Sequence, residues 1–124
     1  MSNKSEVTVF AVRGAVQLSE DSCQAMRTAV IELISQLCGL NLIQAETDIV
    51  SIHFTQTPDL CGANPARELR TIGYAATPLF CSAEPVYPDS LPRTVRVLMT
   101  YRAQRDHTPR PVYLRGAGVL RSDV

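Results

Sequence analysis

The chain has 124 residues, enough for one compact domain with its own core and too few for two. Its composition is ordinary for a globular protein, with 45% hydrophobic and 19% charged residues. Twelve basic residues balance twelve acidic ones, so no overall field favours nucleic acid or a membrane surface as a partner. We therefore expect one domain over residues 1–124, with a flexible N-terminus at 1–6 and a short C-terminal tail at 122–124.

The cysteine and histidine content favours a reduced, metal-free protein. The four cysteines include no CxxC pair, two of them (Cys23 and Cys38) fall within a helical pattern, and the two histidines are far apart. The start MSNKSE lacks the hydrophobic stretch of a secretion signal, and the longest apolar run is too short to span a bilayer. These features predict a cytoplasmic protein with no metal and no membrane segment.

The first predicted elements are a strand and a long helix. Residues 7–16, VTVFAVRGAV, alternate as a strand that we expect to end at Gly14. Ser19 is the expected N-cap of the helix, since acidic residues 20 and 21 follow where the helix dipole favours them. Gly39 predicts the end of the helix. The apolar face has the i, i+3, i+4 spacing and comprises Met26, Ala29, Val30, Leu33, Ile34, Leu37 and Cys38.

The rest of the chain predicts shorter elements. Residues 48–56 form a strand with Ile52 and Phe54 on one face, and Asn64 and Pro65 begin a short helix that extends to residue 72. The remaining segments are a short strand around 79–81, a strand at 94–102 and two apolar stretches at 112–114 and 118–120. This order predicts an α+β fold, an α/β sandwich with a mixed sheet and helices on one side. The other sheet face is then uncovered, and an oligomer would bury it.

The strand TVRVLMTYR, residues 94–102, carries an arginine in an apolar run. Side chains alternate across a strand, so Arg96 shares a face with Thr94, Leu98 and Thr100, while Val97 and its neighbours point the other way. A guanidinium in that position must find an anion or reach water. The position of Arg96 therefore raises the question of which anion it meets.

No common catalytic motif occurs in the sequence. There is no Walker loop, GxSxG elbow, HExxH or GxGxxG. His53 on a polar strand face and His107 in a polar loop are typical of structural histidines. Cys81 has no histidine nearby in sequence, which gives little support to a thiol nucleophile.

Several arginines lie at or near predicted strand ends and on the short helix. Lys4 is the only lysine, so eleven of the twelve cations are arginines, which suit bidentate binding of carboxylate or phosphate. Codon usage rich in G and C would give the same bias, and each arginine alone is typical of a surface salt bridge. Several at predicted strand ends together indicate a pocket for a small molecule with more than one carboxylate. The residues concerned are Arg13, Arg67, Arg70, Arg96 and Arg121, with Glu84 and Tyr113.

The ordered set of short segments resembles the bacterial monofunctional chorismate mutases of the AroH class over about residues 7–122. The matching segments are VRGAV (12–16), TPDL (57–60), NPARELR (64–70), CSAE (81–84), SLPRTVRVLMT (90–100), VYL (112–114) and VLR (119–121). The resemblance implies a homotrimer with a barrel-like core and active sites between subunits. It implies the cofactor-free Claisen rearrangement of chorismate to prephenate, in phenylalanine and tyrosine biosynthesis.

The resemblance also implies roles for individual residues. Arg96 matches the cation at the breaking ether oxygen, and Glu84 would accept a hydrogen bond from the ring hydroxyl. Arg13 and Tyr113 would bind the side-chain carboxylate, and Cys81 would contact the ring hydroxyl. The other implied substrate-binding residues are Asn64, Ala66, Arg67, Arg70, Leu79, Leu120 and Arg121.

Some positions depart from the family pattern. Asn64 stands where some relatives have a phenylalanine wall, Arg67 where some have lysine, and Phe80 is bulkier than expected. The sequence ends at Val124, so most of the usual tail is absent, which we expect to weaken substrate retention more than chemistry. Two alternatives to a chorismate mutase remain: a trimeric module that binds a small dicarboxylate without turnover, and a trimeric imine deaminase of similar architecture.

Overall fold

The structure, a computed structural model, describes residues 6–123 and the side chains of residues 6–121. The flexible segment expected at 1–6 and the tail expected at 122–124 lie outside the described side chains, apart from Glu6. The described strands are β1 Val7–Gln17, β2 Ile49–Gln56, β3 Leu79–Ala83, β4 Thr94–Gln104 and β5 Val112–Leu114. The helices are α1 Cys23–Asn41, α2 Ala45–Asp48 and α3 Pro65–Arg70, followed by a C-terminal 3₁₀-helix, Arg115–Asp123.

The strands form one mixed sheet in the order β3-β2-β4-β1-β5. The long strand β4 pairs antiparallel with β1 and β2, whereas β2–β3 and β1–β5 are parallel. Helices α1 and α3 cover the same sheet face, because Leu33 of α1 and Leu69 of α3 share one core with Phe54 of β2 and Val97 of β4. The predicted mixed sheet with helices on one side is confirmed.

The opposite face of the sheet, which we call the open face, is not covered by these helices. It carries the alternate residues of β4, including Arg96, and their cross-strand neighbours. On this face the apolar side chains Leu98 and Phe80 are 43% and 63% exposed. Adjacent exposed apolar side chains often mark an interaction surface. The sheet therefore has one buried face and one face with both apolar and charged side chains.

Helix α1 begins three residues later than the sequence indicates. Ser22, not Ser19, is the N-cap, and its hydroxyl accepts a hydrogen bond from the Ala25 amide at 3.1 Å. Asp21 lies before the helix and accepts hydrogen bonds from the amides of Gly62, at 2.8 Å, and Cys61. These bonds lower the pKa of the Asp21 carboxyl below its usual range. A tertiary contact to the loop before α3 thus determines where the helix starts.

The helix also continues past Gly39, the predicted stop, to Asn41. The Asn41 side chain donates to the carbonyls of Leu37, at 2.9 Å, and Arg110, at 3.0 Å, and accepts from the Arg110 amide. Leu42 then adopts the left-handed conformation, φ 55°, that ends the helix. The buried Asn41 bonds offset the modest cost of glycine within the helix.

Strand β1 passes through Gly14 instead of ending there, so Arg13 lies inside the strand. Gly14 pairs with Val97 on one side and Val112 on the other. A Cβ at this position would lie 3.1 Å from side-chain atoms of Leu33 and Leu37. The glycine therefore allows the helix to approach the sheet closely, rather than terminating the strand.

Helix α3 begins as predicted and ends two residues earlier, at Arg70. Asn64 caps it by accepting from the amides of Ala66, at 2.8 Å, and Arg67, at 3.2 Å. The buried Glu68 carboxylate accepts from Arg27 of α1 at 2.9 Å. This ion pair links α3 to α1 and satisfies the buried carboxylate. Of the two final apolar stretches, 112–114 is β5 and 118–120 lies in the 3₁₀-helix.

The corrected N-cap is testable with two serine substitutions. We expect Ser22→Ala to lower the free energy of unfolding by about 1 kcal/mol, because the first helical turn loses its side-chain acceptor. Ser19→Ala, the matched control, should change it by less than about 0.5 kcal/mol. Urea denaturation of both variants makes the comparison, and a larger loss in Ser19→Ala than in Ser22→Ala would contradict the cap assignment.

Candidate active site

A cleft of about 300 Å³ lies on the open face of the sheet, over β1, β2 and β4. Its floor is built by strand alternation, which aims every second side chain of these strands at the same side. Its side-chain lining comprises Arg13, Ala15, His53, Thr55, Arg96, Leu98, Tyr113 and Leu120. Two strongly basic side chains in a small cleft favour an anionic ligand.

Cross-strand register brings these residues together. Arg96 on β4 lies directly opposite Ala15 on β1 and Thr55 on β2. Ala15 is small and buried, so the guanidinium has room beside it. Arg13 lies two residues from Ala15 on the same face and pairs with Leu98. Arg96 thus rises from the middle of three paired strands, a rigid support for a charged group.

Arg96 forms an ion pair with Glu84, which follows the end of β3. Its Nε donates to the Glu84 carboxylate and lies 3.2 Å from each carboxylate oxygen. Thr55 Oγ1 donates to Glu84 Oε2 at 2.6 Å. The Arg96 side chain is 44% exposed and that of Glu84 15%. Among the described residues, the hydrogen bonds of Arg96 do not use its two terminal nitrogens, so these remain available to a ligand.

Arg13 and Tyr113 lie beside this pair. Arg13 is exposed on β1 and has no carboxylate partner among the residues that the structure describes. Tyr113 on β5 pairs with Ala15, and the guanidinium carbon of Arg121 lies 5.3 Å from the centre of its ring. Leu120 of the 3₁₀-helix is buried against the same edge. The structure therefore brings six of the predicted site residues together: Arg13, Glu84, Arg96, Tyr113, Leu120 and Arg121.

The other predicted site residues lie on the helix-covered side of the sheet. Cys81 and Leu79 of β3 pair with Phe54 and Ile52 and pack against the core. Ala66 is buried in that core, with 3% of its surface exposed. The remaining three, in or next to α3, are exposed: Asn64, Arg67 and Arg70. Within one chain these six residues do not reach the cleft, and their assignment to the site stays a prediction.

Cys81 is held as a thiol. Its Sγ donates to Gln56 Oε1 at 3.3 Å, and burial raises the pKa of the Cys81 thiol above its usual range. It is therefore protonated at neutral pH and poorly suited to nucleophilic attack. The Gln56 amide also donates to the carbonyl of Leu60 at 2.6 Å, so it links Cys81 to the loop before α3.

Sequence reasoning missed Thr55 and Gln56 and treated both histidines as structural. His53 lines the cleft, with its Nε2 3.0 Å from Ser82 Oγ. His107 Nε2 is 2.7 Å from the Tyr101 hydroxyl, away from the cleft. The pattern of β2 shows that Thr55 shares a face with His53, but only the pairing with β4 shows that it lies opposite Arg96.

Two further observations concern the described residues as a group. They include no cluster of three or more histidine, cysteine, aspartate or glutamate side chains arranged to hold a metal ion. None of their helices is both long and apolar enough to cross a membrane.

Comparison with known proteins identifies the family. The family model described as chorismate mutase type I matches residues 9–124. The chain is 38% identical over 117 residues to chorismate mutase AroH of Thermus thermophilus, covering 94% of this chain and 96% of that protein. It is 29% identical over 118 residues to chorismate mutase AroH of Bacillus subtilis, covering 94% and 92%.

The fold agrees with a solved structure of the same kind. A chorismate mutase from Clostridium thermocellum superposes with a TM-score of 0.81 at 34% sequence identity, covering 90% of this chain and 99% of that one. Sequence and fold therefore agree over nearly the whole length. The resemblance found in the short segments is confirmed, and the chain belongs to the type I chorismate mutases, the AroH class.

Proposed function

We propose that this chain catalyses the rearrangement of chorismate to prephenate, in phenylalanine and tyrosine biosynthesis, without a cofactor. The observation that carries the proposal is Arg96, a cation fixed on a central strand with both terminal nitrogens available in a cleft. The family membership of the chain and the positive character of the cleft both support the same substrate. Chorismate carries two carboxylates, and Arg13 gives the cleft a second cation.

The reaction needs no acid, base or nucleophile, so a site built on positioned charges suits it. In a Claisen rearrangement one C–O bond breaks while one C–C bond forms, and no proton is transferred. The protein must hold the flexible substrate in a chair-like geometry, which is an orientation effect. It must also place positive charge where the ether oxygen becomes electron-rich.

The functional side chains in and beside the cleft have distinct parts in this mechanism. The terminal nitrogens of Arg96 stabilise the developing charge on the ether oxygen. Glu84 accepts from the ring hydroxyl and faces the positive character that develops on the ring. Arg13 and Tyr113 bind the side-chain carboxylate, with Arg121 near the ring of Tyr113. Arg96 and Glu84 are held by their mutual ion pair and by Thr55 before the substrate arrives, so this part of the site needs little reorganisation in the transition state.

The active enzyme in this proposal is a homotrimer whose sites lie between subunits. The exposed Leu98 and Phe80 on the open face are best buried by another copy of the chain. Since Arg67 and Arg70 lie on a different layer from Arg96, they can meet one substrate only if a second subunit supplies them. The roles of Asn64, Ala66, Leu79 and Cys81 in the same half-site remain part of this proposal.

The cytoplasm is the compartment that this proposal favours. All four cysteines are free thiols: Cys23, Cys38, Cys61 and Cys81. Unpaired cysteines are common in a reducing compartment.

Replacing Arg96 tests the proposed chemistry. We expect the wild-type chain to consume chorismate in buffer that contains a chelator. The reaction is measured by the loss of chorismate absorbance. Arg96→Ala should lower kcat about 10²–10³-fold, because the ether oxygen loses its fixed charge. Arg102→Ala is the matched control, an exposed arginine on the same strand and face but outside the cleft, and it should retain full activity.

Two outcomes would contradict the proposal. Near-normal turnover by Arg96→Ala would exclude the assigned role of that arginine. Tight binding of prephenate by the wild-type chain without any turnover would instead favour a dicarboxylate-binding module.

The proposed assembly predicts a solution mass. Light scattering after size exclusion should give about three times the 13.6 kDa chain mass. A charged substitution on the open face, Leu98→Asp, should shift the mass downwards and expose the cleft edge. A monomeric wild-type chain with full activity would contradict the shared site.

A further inference from the structure

We propose that Thr55 is a positioning residue that holds the Glu84 carboxylate in place and keeps it from occupying the terminal nitrogens of Arg96. The inference rests on the proposed function, because it assigns Thr55 a part in the same reaction. Thr55 does not itself transfer or stabilise charge on the reacting atoms. It acts through Glu84.

Three strands place the groups side by side. Thr55 on β2 pairs with Arg96 on β4 and, on its other side, with Ser82 on β3. The Glu84 amide donates to the Gln56 carbonyl at 2.9 Å, which extends the β2–β3 contact beyond the end of β3. The backbone therefore fixes Glu84 next to Thr55, and the 2.6 Å hydroxyl bond then fixes the carboxylate.

The carboxylate has two competing positions near the guanidinium. Arginine prefers a bidentate pair, in which both carboxylate oxygens face two of its nitrogens. Here the hydrogen bond between Arg96 and Glu84 comes from Nε, and Thr55 donates to one of the carboxylate oxygens. A β-branched side chain has few allowed χ1 values, so the Thr55 hydroxyl is a stiff anchor. Thr55 thus holds Glu84 to the side of Arg96 and leaves the terminal nitrogens for the substrate.

Removing the hydroxyl should therefore impair the chemical step more than binding. We expect Thr55→Val, which keeps the shape, to lower kcat about ten- to hundredfold, the usual range for a hydrogen bond to a charged group. KM should change less than about twofold, because Arg13 and Tyr113 still bind the carboxylate. Thr55→Ser, which restores the hydroxyl, should recover most of the rate. Thr100→Val, on the same face of β4 but outside the cleft, is the control and should leave kcat unchanged.

A double substitution separates positioning from a general structural effect. If Thr55 acts through Glu84, Thr55→Val should reduce kcat less than about twofold in a Glu84→Gln background. Losses that multiply would overturn the inference, as would a Thr55→Val rate close to that of the wild type. A crystal structure of Thr55→Val gives a readout independent of rate: the carboxylate should turn onto the terminal nitrogens of Arg96, and an unmoved carboxylate would overturn the proposal.

The failure of the inference is distinguishable from failure of the proposed function. A wild-type chain that turns over chorismate, with Thr55→Val equally active, overturns the inference alone. A wild-type chain with no turnover overturns the proposed function, and the crystal structure of Thr55→Val then still shows whether Thr55 positions Glu84.

Discussion

The ion pair between Arg96 and Glu84 is the interaction on which the candidate site depends. A guanidinium on an apolar strand must be compensated, and Glu84 does this at 3.2 Å without occupying the whole group. The partial exposure of Arg96 limits the desolvation cost of the pair. Sheet pairing on both sides of β4 keeps the cation rigid, and rigidity is what allows one charge to act on a single developing oxygen. The cleft on the open face and the neighbouring Arg13 can serve in the proposed reaction only because Arg96 holds its charge in place.

The rest of the fold serves to hold this strand. Helices α1 and α3 cover the other sheet face, and Gly14 lets α1 approach it closely. The buried Glu68 carboxylate of α3 pairs with Arg27 of α1 and so links the two helices. With one face of β4 packed in the core, the alternation of a strand leaves Arg96 no route except into the cleft. Packing of the helices on one sheet face therefore determines that Arg96 projects from the other face.

Local sequence patterns predicted the helices and strands well, but they predicted less well where these elements begin and end. The face of Arg96, the apolar face of α1 and the Asn64 cap each depend on neighbours in sequence, so periodicity and capping chemistry were sufficient. Ser22 replaced Ser19 as N-cap because Asp21 is engaged by a distant loop, and Gly14 lies within a strand because α1 packs over it. The sequence did not predict Thr55 as a site residue, because it lies next to Arg96 only through the pairing of β2 with β4. Such cross-strand register is a tertiary property, which a local pattern does not contain.

The role of Arg96 is best tested by a crystal structure with a bound bicyclic dicarboxylate that carries an ether oxygen, a mimic of the rearrangement transition state. The ether oxygen should lie within hydrogen-bond distance of the Arg96 terminal nitrogens, and a carboxylate should lie on Arg13. Helix α3 of a second subunit should close the cleft. A ligand bound away from the open face, or with its ether oxygen turned from Arg96, would exclude this role.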